Sequence, residues 1–265
     1  MKRKQRKQKA SFLTERQNQP IIRVRKGRYL FTFFINISAG VGGKCSMEGK
    51  RLTSYAMEEL ECPKCGHKHS LKKYKVINVT EKAKLKEEIM KNRLYQFSCE
   101  ECEYMAPLTY DSLYVDSQRN IMIYMAPVMN AEIKAEIAEL EQEKGIDKRL
   151  VDNINDLKEK IMIVDNHLDD RVIEIIKIMY LDQIKKEMED DTLLNILFDY
   201  NRDNYCFLVF FQKKGIGKIP LTREFYRQVE DKYKEAIKEH STDGFMKIDM
   251  EWAGKILFKN HNKFN

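Results

Sequence analysis

The segments LECPKCGHKH, residues 60–69, and FSCEECEYMA, residues 97–106, each carry a Cys-x-x-Cys pair, and 33 residues (66 to 98) separate the inner cysteines. Cys62-Pro-Lys-Cys65-Gly has the form of a zinc knuckle. Two thiolates straddle a tight turn, and Gly66 supplies the positive φ that turns the chain back. Backbone N–H groups in such a turn can point at the sulfurs. Cys99-Glu-Glu-Cys102-Glu has the ligands without the proline or the glycine. Glu103 takes the glycine's place, so strain or a wider turn is expected there. Two knuckles brought together make a tetrahedral four-thiolate site. The expectation is one structural Zn2+ per chain, held by Cys62, Cys65, Cys99 and Cys102.

Two other chemistries compete for these cysteines. CPKC resembles a thioredoxin-type redox motif, but that chemistry needs the first thiol at a helix N-terminus, where its pKa falls. The HKHSLKKYKVINV that follows reads as a strand. A catalytic zinc needs an open coordination position, and four thiolates leave none. His67 and His69 are possible replacement ligands, but on a charged strand they read as solvated. Cys206, inside YCFLVFF, reads as a small buried hydrophobe. Four cysteines at metal-type spacing and two isolated ones indicate a reducing, cytoplasmic compartment rather than a disulfide framework.

Outward from the knuckles, 57–62 and 67–78 read as two arms of a hairpin. Thr80 is expected to cap a short helix whose inner face carries Leu85 and Ile89. Strands are expected to lead into and out of the second knuckle, and LYVDSQRNIMIYMAP gives a turn at 116–120 and a strand ended by Pro127. The fold class is α+β: a zinc ribbon with an inserted helix and extra strands over 57–127, followed by a C-terminal α+β domain over 131–260. In that second part, helices are expected after Asn130, over 153–164, from Asp169 and after Thr222, with a last short one over 249–258. LLNILFDYNRDNYCFLVFFQ reads as a β-hairpin, and KKGIGKIPLT as a loop with a short strand. Its GxG is a plain turn rather than a phosphate loop. Asp169-Asp170-Arg171 invites a catalytic reading, but acids at a helix N-terminus are first of all caps.

The net charge of +7 is concentrated in one place. Residues 1–46 hold twelve of the 48 basic residues and one of the 41 acidic ones, a net +11, which leaves −4 over 47–265. Three readings of 1–46 stand side by side. It is a secretion signal of wrong proportions, a basic arm that binds nucleic acid, or a segment translated upstream of a true start at Met47, disordered if it is present. Its apolar stretch, RYLFTFFINISAGVGG, is too short to span a bilayer, so no membrane insertion is expected.

The run CPKCG, INVTEKAKLKEEIMKNRLYQFSC and LYVDSQRNIMIYMAP resembles the CpXC family of bacterial and archaeal proteins over about 57–127. Cys62, Pro63 and Cys65 match the first half of its paired motif, and Cys99 and Cys102 the second. Ile77-Asn78-Val79 and Leu113-Tyr114 with Asp116 match two further segments, and LDDRVIE (168–174) resembles stretches found in longer members. Val115 stands where a histidine is expected, so no catalytic role transfers to it. The resemblance implies a zinc-bound module and no particular activity.

Function is therefore expected to be that of a zinc-stabilised binding or regulatory module, not an enzyme, with an unknown protein partner. The first alternative is a nucleic-acid-binding zinc ribbon. Lys64, Lys68, Lys72, Lys73 and Lys75 make 62–75 locally basic, but 57–127 balances eleven basic against eleven acidic residues, so no strong field is expected. The second is an enzyme with a site built from scattered residues such as Asp116, His167 and Asp170.

Overall fold

In the computed structural model, residues 22–23, 51–187, 190–201 and 204–261 are described; the readings of the 1–46 segment otherwise fall outside these residues. The chain is α+β. It clusters into two compact units, one ending at Asn120 and one running from Ile121.

In the first unit, β1 (Ile22–Arg23) pairs in parallel with β5 (Met105–Thr109). Strand β2 (Ser54–Glu61) pairs antiparallel with β3 (Lys68–Asn78), with Tyr55 opposite Tyr74 and Glu61 opposite Lys68. The first knuckle is thus the loop of this hairpin. Strand β4 (Gln96–Ser98) pairs antiparallel with β5, with Ser98 opposite Met105, so the second knuckle is also a hairpin loop. Strand β6 (Ser112–Asp116) runs parallel to the end of β3.

Helix α1 (Lys84–Met90) buries Leu85 and Ile89, as their one-turn spacing predicts. Its N-cap is Ala83, not Thr80. Asn78 decides this: its Oδ1 accepts from the N–H groups of Thr80 and Glu81, which keeps that turn out of the helix, and the Thr80 hydroxyl accepts from Ser117 N–H instead. A 3-10 turn, Arg93–Tyr95, leads into β4. The buried Tyr95 hydroxyl bonds Ser112 at 2.6 Å, which satisfies a buried polar group, and the Tyr95 ring stacks on Tyr110 with centroids 4.8 Å apart.

The second unit opens with β7 (Ile121–Met125), α2 (Ala131–Leu140) and β8 (Asp147–Val151), with β7 and β8 parallel. Asn130 caps α2 through Ile133 N–H, as expected. No strand is expected at DKRLV from sequence, because two of its charged residues, Lys148 and Arg149, are buried. Helices α3 (Ile154–Asp165) and α4 (Asp170–Glu187) follow. Next come β9 (Leu193–Asn201), β10 (Asn204–Phe211) and β11 (Gly215–Leu221), an antiparallel meander in which β11 is longer than its sequence suggests. Helix α5 (Arg223–Glu239), capped by Thr222, and α6 (Met250–His261) complete the unit. The stripe Ile173, Ile176 and Ile184 of α4 packs in one core with Phe198, Phe207, Val229 and Ile256. Each such side chain contributes about 1.5–3 kcal/mol on burial.

Candidate metal centre

The two hairpin loops have the same backbone wiring. Cys62 N–H donates to the His67 carbonyl at 2.8 Å and Gly66 N–H to the Cys62 carbonyl at 2.9 Å. Cys99 N–H donates to the Tyr104 carbonyl at 2.8 Å and Glu103 N–H to the Cys99 carbonyl at 3.0 Å. The fifth residue of each loop lies in the left-handed region: Gly66 at φ +75° and Glu103 at φ +58°. The second knuckle therefore forms the same tight turn as the first and bears the strain of a non-glycine residue there.

This wiring brings together all four cysteines read from the sequence. The sulfurs lie within 4.8 Å of one another, with Cys62 Sγ 3.6 Å from Cys102 Sγ and Cys65 Sγ 3.5 Å from Cys99 Sγ. Cys62 and Cys99 are buried, Cys102 is half-buried and Cys65 is exposed. Burial pushes the Cys62 thiol up, but the backbone N–H groups of Cys65 and Lys64 aimed at its sulfur bring it down to about 7. Cys65 accepts from the His67 backbone, which lowers it, yet local desolvation beside the other cysteines and the neighbouring sulfurs of Cys99, Cys102 and Cys62 carry it up to about 12. Burial also raises Cys102. Four thiols this close cannot all ionise against one another's charge, and a bound cation removes that conflict. The donor set could hold a metal ion.

One residue near the metal centre departs from the sequence reading. His69 is not simply solvated: its Nε2 lies 3.2 Å from Cys99 Sγ, and its ring packs edge-on against Phe97 with centroids 5.4 Å apart. Alternation along β3 is the signal that could have found it, since Leu60 opposite His69 fixes which face the imidazole takes.

The residues of the scattered-site reading have other partners. Asp116 is buried and bonds Lys86 at 3.0 Å and Arg119 at 3.3 Å. Asp170 is buried against Arg149, which binds it through Nε and Nη2, both at 2.9 Å. Asp169, not Asp170, makes the helix-start bond, to Arg171 N–H at 2.8 Å. His167 adopts φ +56° in the link between α3 and α4. Cys206 is half-buried rather than fully enclosed, 3.9 Å from the Asp199 carboxylate.

Fold and site together define an α+β protein with a four-cysteine cluster on two hairpin loops. Residues 60–177 match the family described as CpXC protein, in agreement with the resemblance carried by the cysteine motifs. The match takes in all four cysteines and reaches Lys177 on α4. No curated protein matches the chain, and no solved structure matches it either. Among the described residues, no helix is long and apolar enough to cross a membrane.

Proposed function

We propose that the protein is a zinc-stabilised binding or regulatory module that acts through a protein partner and has no catalysis of its own. The observation that carries this reading is the closed set of four sulfurs. A zinc–thiolate bond of about 2.3 Å in a tetrahedron requires sulfurs about 3.8 Å apart. The observed separations of 3.5 and 3.6 Å, with every pair within 4.8 Å, fit that requirement. Cys62, Cys65, Cys99 and Cys102 would hold the ion and fill its coordination, so zinc here would tie two hairpin loops together. The free thiols suit a reducing compartment, which supports a cytoplasmic location.

Native mass spectrometry of the full chain tests this. The expected result is one zinc per chain, lost in Cys99→Ser. A zinc-free chain with intramolecular disulfides would instead bring forward the redox reading of CPKC.

A second reading, nucleic-acid binding, is favoured by one surface. Lys72 Nζ sits 4.8 Å over the exposed ring of Tyr55, which pairs with Tyr74 at 5.6 Å. Aromatic and basic side chains on one hairpin face suit base stacking next to phosphate. Fluorescence anisotropy with single-stranded RNA would support it if binding weakened with salt and in Tyr55→Ala. Salt-independent binding would count against it.

A further inference from the structure

Six ionisable side chains of the second unit, each no more than 5% exposed, alternate in sign along one chain of contacts: Arg149, Asp170, Lys160, Glu174, Lys177 and Glu159. Lys160 lies 3.2 Å from both Asp170 and Glu174, and Lys177 lies 2.9 Å from Glu174 and 2.8 Å from Glu159. Burying so many charges is no efficient route to stability, because well-packed apolar side chains would serve as well or better. Buried charge beside a cavity is instead a mark of a binding site.

A cavity of about 180 Å3 lies against this network, and Glu159, Lys160, Glu174 and Lys177 form part of its wall. For scale, a cavity of about 150 Å3 accommodates a benzene-sized molecule. Three lysines in a cavity wall suggest an anion site, but Lys247 is paired with Asp152 and Asp249, and neither Lys160 nor Lys177 has a hydrogen to give. The Lys160 ammonium meets three acceptors: Asp170, Glu174 and the Ile248 carbonyl at 2.6 Å. The Lys177 ammonium meets both oxygens of Glu159 and one of Glu174.

Two of the wall's acceptors are less fully used. Among the described residues, no hydrogen bond reaches the second oxygen of Glu174, Oε2, or the Oδ1 of Asp156, which also lines the cavity. The wall as a whole carries four carboxylates, with Asp249, against three ammonium groups, with Lys247, so one positive charge balances it. Among the described residues, only the four cysteines bring three or more metal-ligating groups together, which argues against a divalent ion here.

We infer that this cavity binds a short aliphatic primary amine, its ammonium seated against Asp156 and Glu174 and its carbon chain against Leu150 and Ile196. The unfilled acceptors, the wall's surplus negative charge and its apolar side chains each fit one part of that ligand. Burial raises the Asp156 carboxyl despite the attraction of Lys177 and Lys160, as expected of an acid that lacks a cation in direct contact. The site lies on residues other than the cysteines and goes beyond the zinc-module reading.

Isothermal titration of the full, zinc-containing chain tests the inference, with butylammonium chloride compared against sodium butyrate at matched ionic strength. Saturable one-to-one binding of butylammonium is expected, with none of butyrate. Asp156→Asn, at a half-buried position, should weaken it about tenfold or more by removing a charged acceptor. Methyl resonances of Leu150 and Ile196 in the unaltered protein should shift along the same titration, a readout that does not depend on how the variant folds. Equal binding of butyrate, displacement of the amine by magnesium chloride, undiminished binding by Asp156→Asn, or unmoved methyl resonances would each overturn the inference. Zinc content, measured on the same sample, keeps this outcome separate from that of the metal centre.

Discussion

His69 Nε2 lies 3.2 Å from the sulfur of Cys99, so an imidazole from the first hairpin reaches a cysteine of the second. A ring N–H donated to a metal-bound thiolate delocalises its charge and fixes its direction. Loss of such an outer partner costs about 10- to 100-fold in metal affinity. His69→Ala should weaken zinc binding by that amount, and His69→Gln, which keeps a donor, should fall between the two. Competition against a chromophoric chelator measures both, and an unchanged affinity for His69→Ala would show that the contact does not support the metal.

Gly66 and Glu103 hold corresponding left-handed positions in the two knuckles, so substitutions there should have opposite signs. Glu103→Gly should stabilise the first unit by about 1 kcal/mol by removing a non-glycine residue from that region. Gly66→Ala should destabilise by about the same amount. A Cβ at Gly66 would meet only Glu61 Oε1 at 3.6 Å, an ordinary contact, so the cost is one of backbone conformation. Thermal midpoints of the zinc-loaded proteins compare the two.

Asp170 should dominate the acid sensitivity of the second unit. Burial alone would raise its carboxyl, but Arg149 and Lys160 hold it well below the usual carboxylate range. A folded value below the unfolded value of about 3.9 means stabilisation that is present above about pH 4 and is lost as pH falls toward the folded value. Asp170→Asn should remove this acid limb and cost about 3–5 kcal/mol at neutral pH, because Arg149 and Lys160 stay buried with a partner missing. Urea unfolding at pH 3, 5 and 7 reads both effects.

Removal of the proposed zinc should act first on the two hairpin loops. Chelation should lower hydrogen-exchange protection at the N–H groups of Cys62, Gly66, Cys99 and Glu103, whose hydrogen bonds close the knuckles. Protection that survives complete zinc loss would mean that the core around Tyr95 and Phe97 holds the loops without metal.

The knuckles were legible in the sequence because their chemistry is local. Two cysteines three residues apart must share a turn, and Gly66 announces its sign. The caps at Asn130 and Thr222 and the apolar stripes of α4 and α5 were legible for the same reason, since helical spacing is a property of neighbours in the chain. Thr80 failed as a cap because Asn78, two residues earlier, took both N–H groups. Strand β8 was hidden because Lys148 and Arg149 look solvated, and nothing local discloses the carbonyl of Asp243 or the carboxylate of Asp170 that makes their burial possible.

The sequence by itself determined an α+β chain, the identity of its four clustered cysteines and its CpXC resemblance, all of them patterns within a few residues or at fixed spacings. Only the tertiary structure decided that His69 faces Cys99, that Asp170 belongs to a buried ion network as well as to a helix start, and that a cavity opens beside that network. Whether a charge is solvated or buried depends on the groups that meet it in space. The partners here stand 14 to 30 residues apart in the chain, and only folding brings them within 3.2 Å.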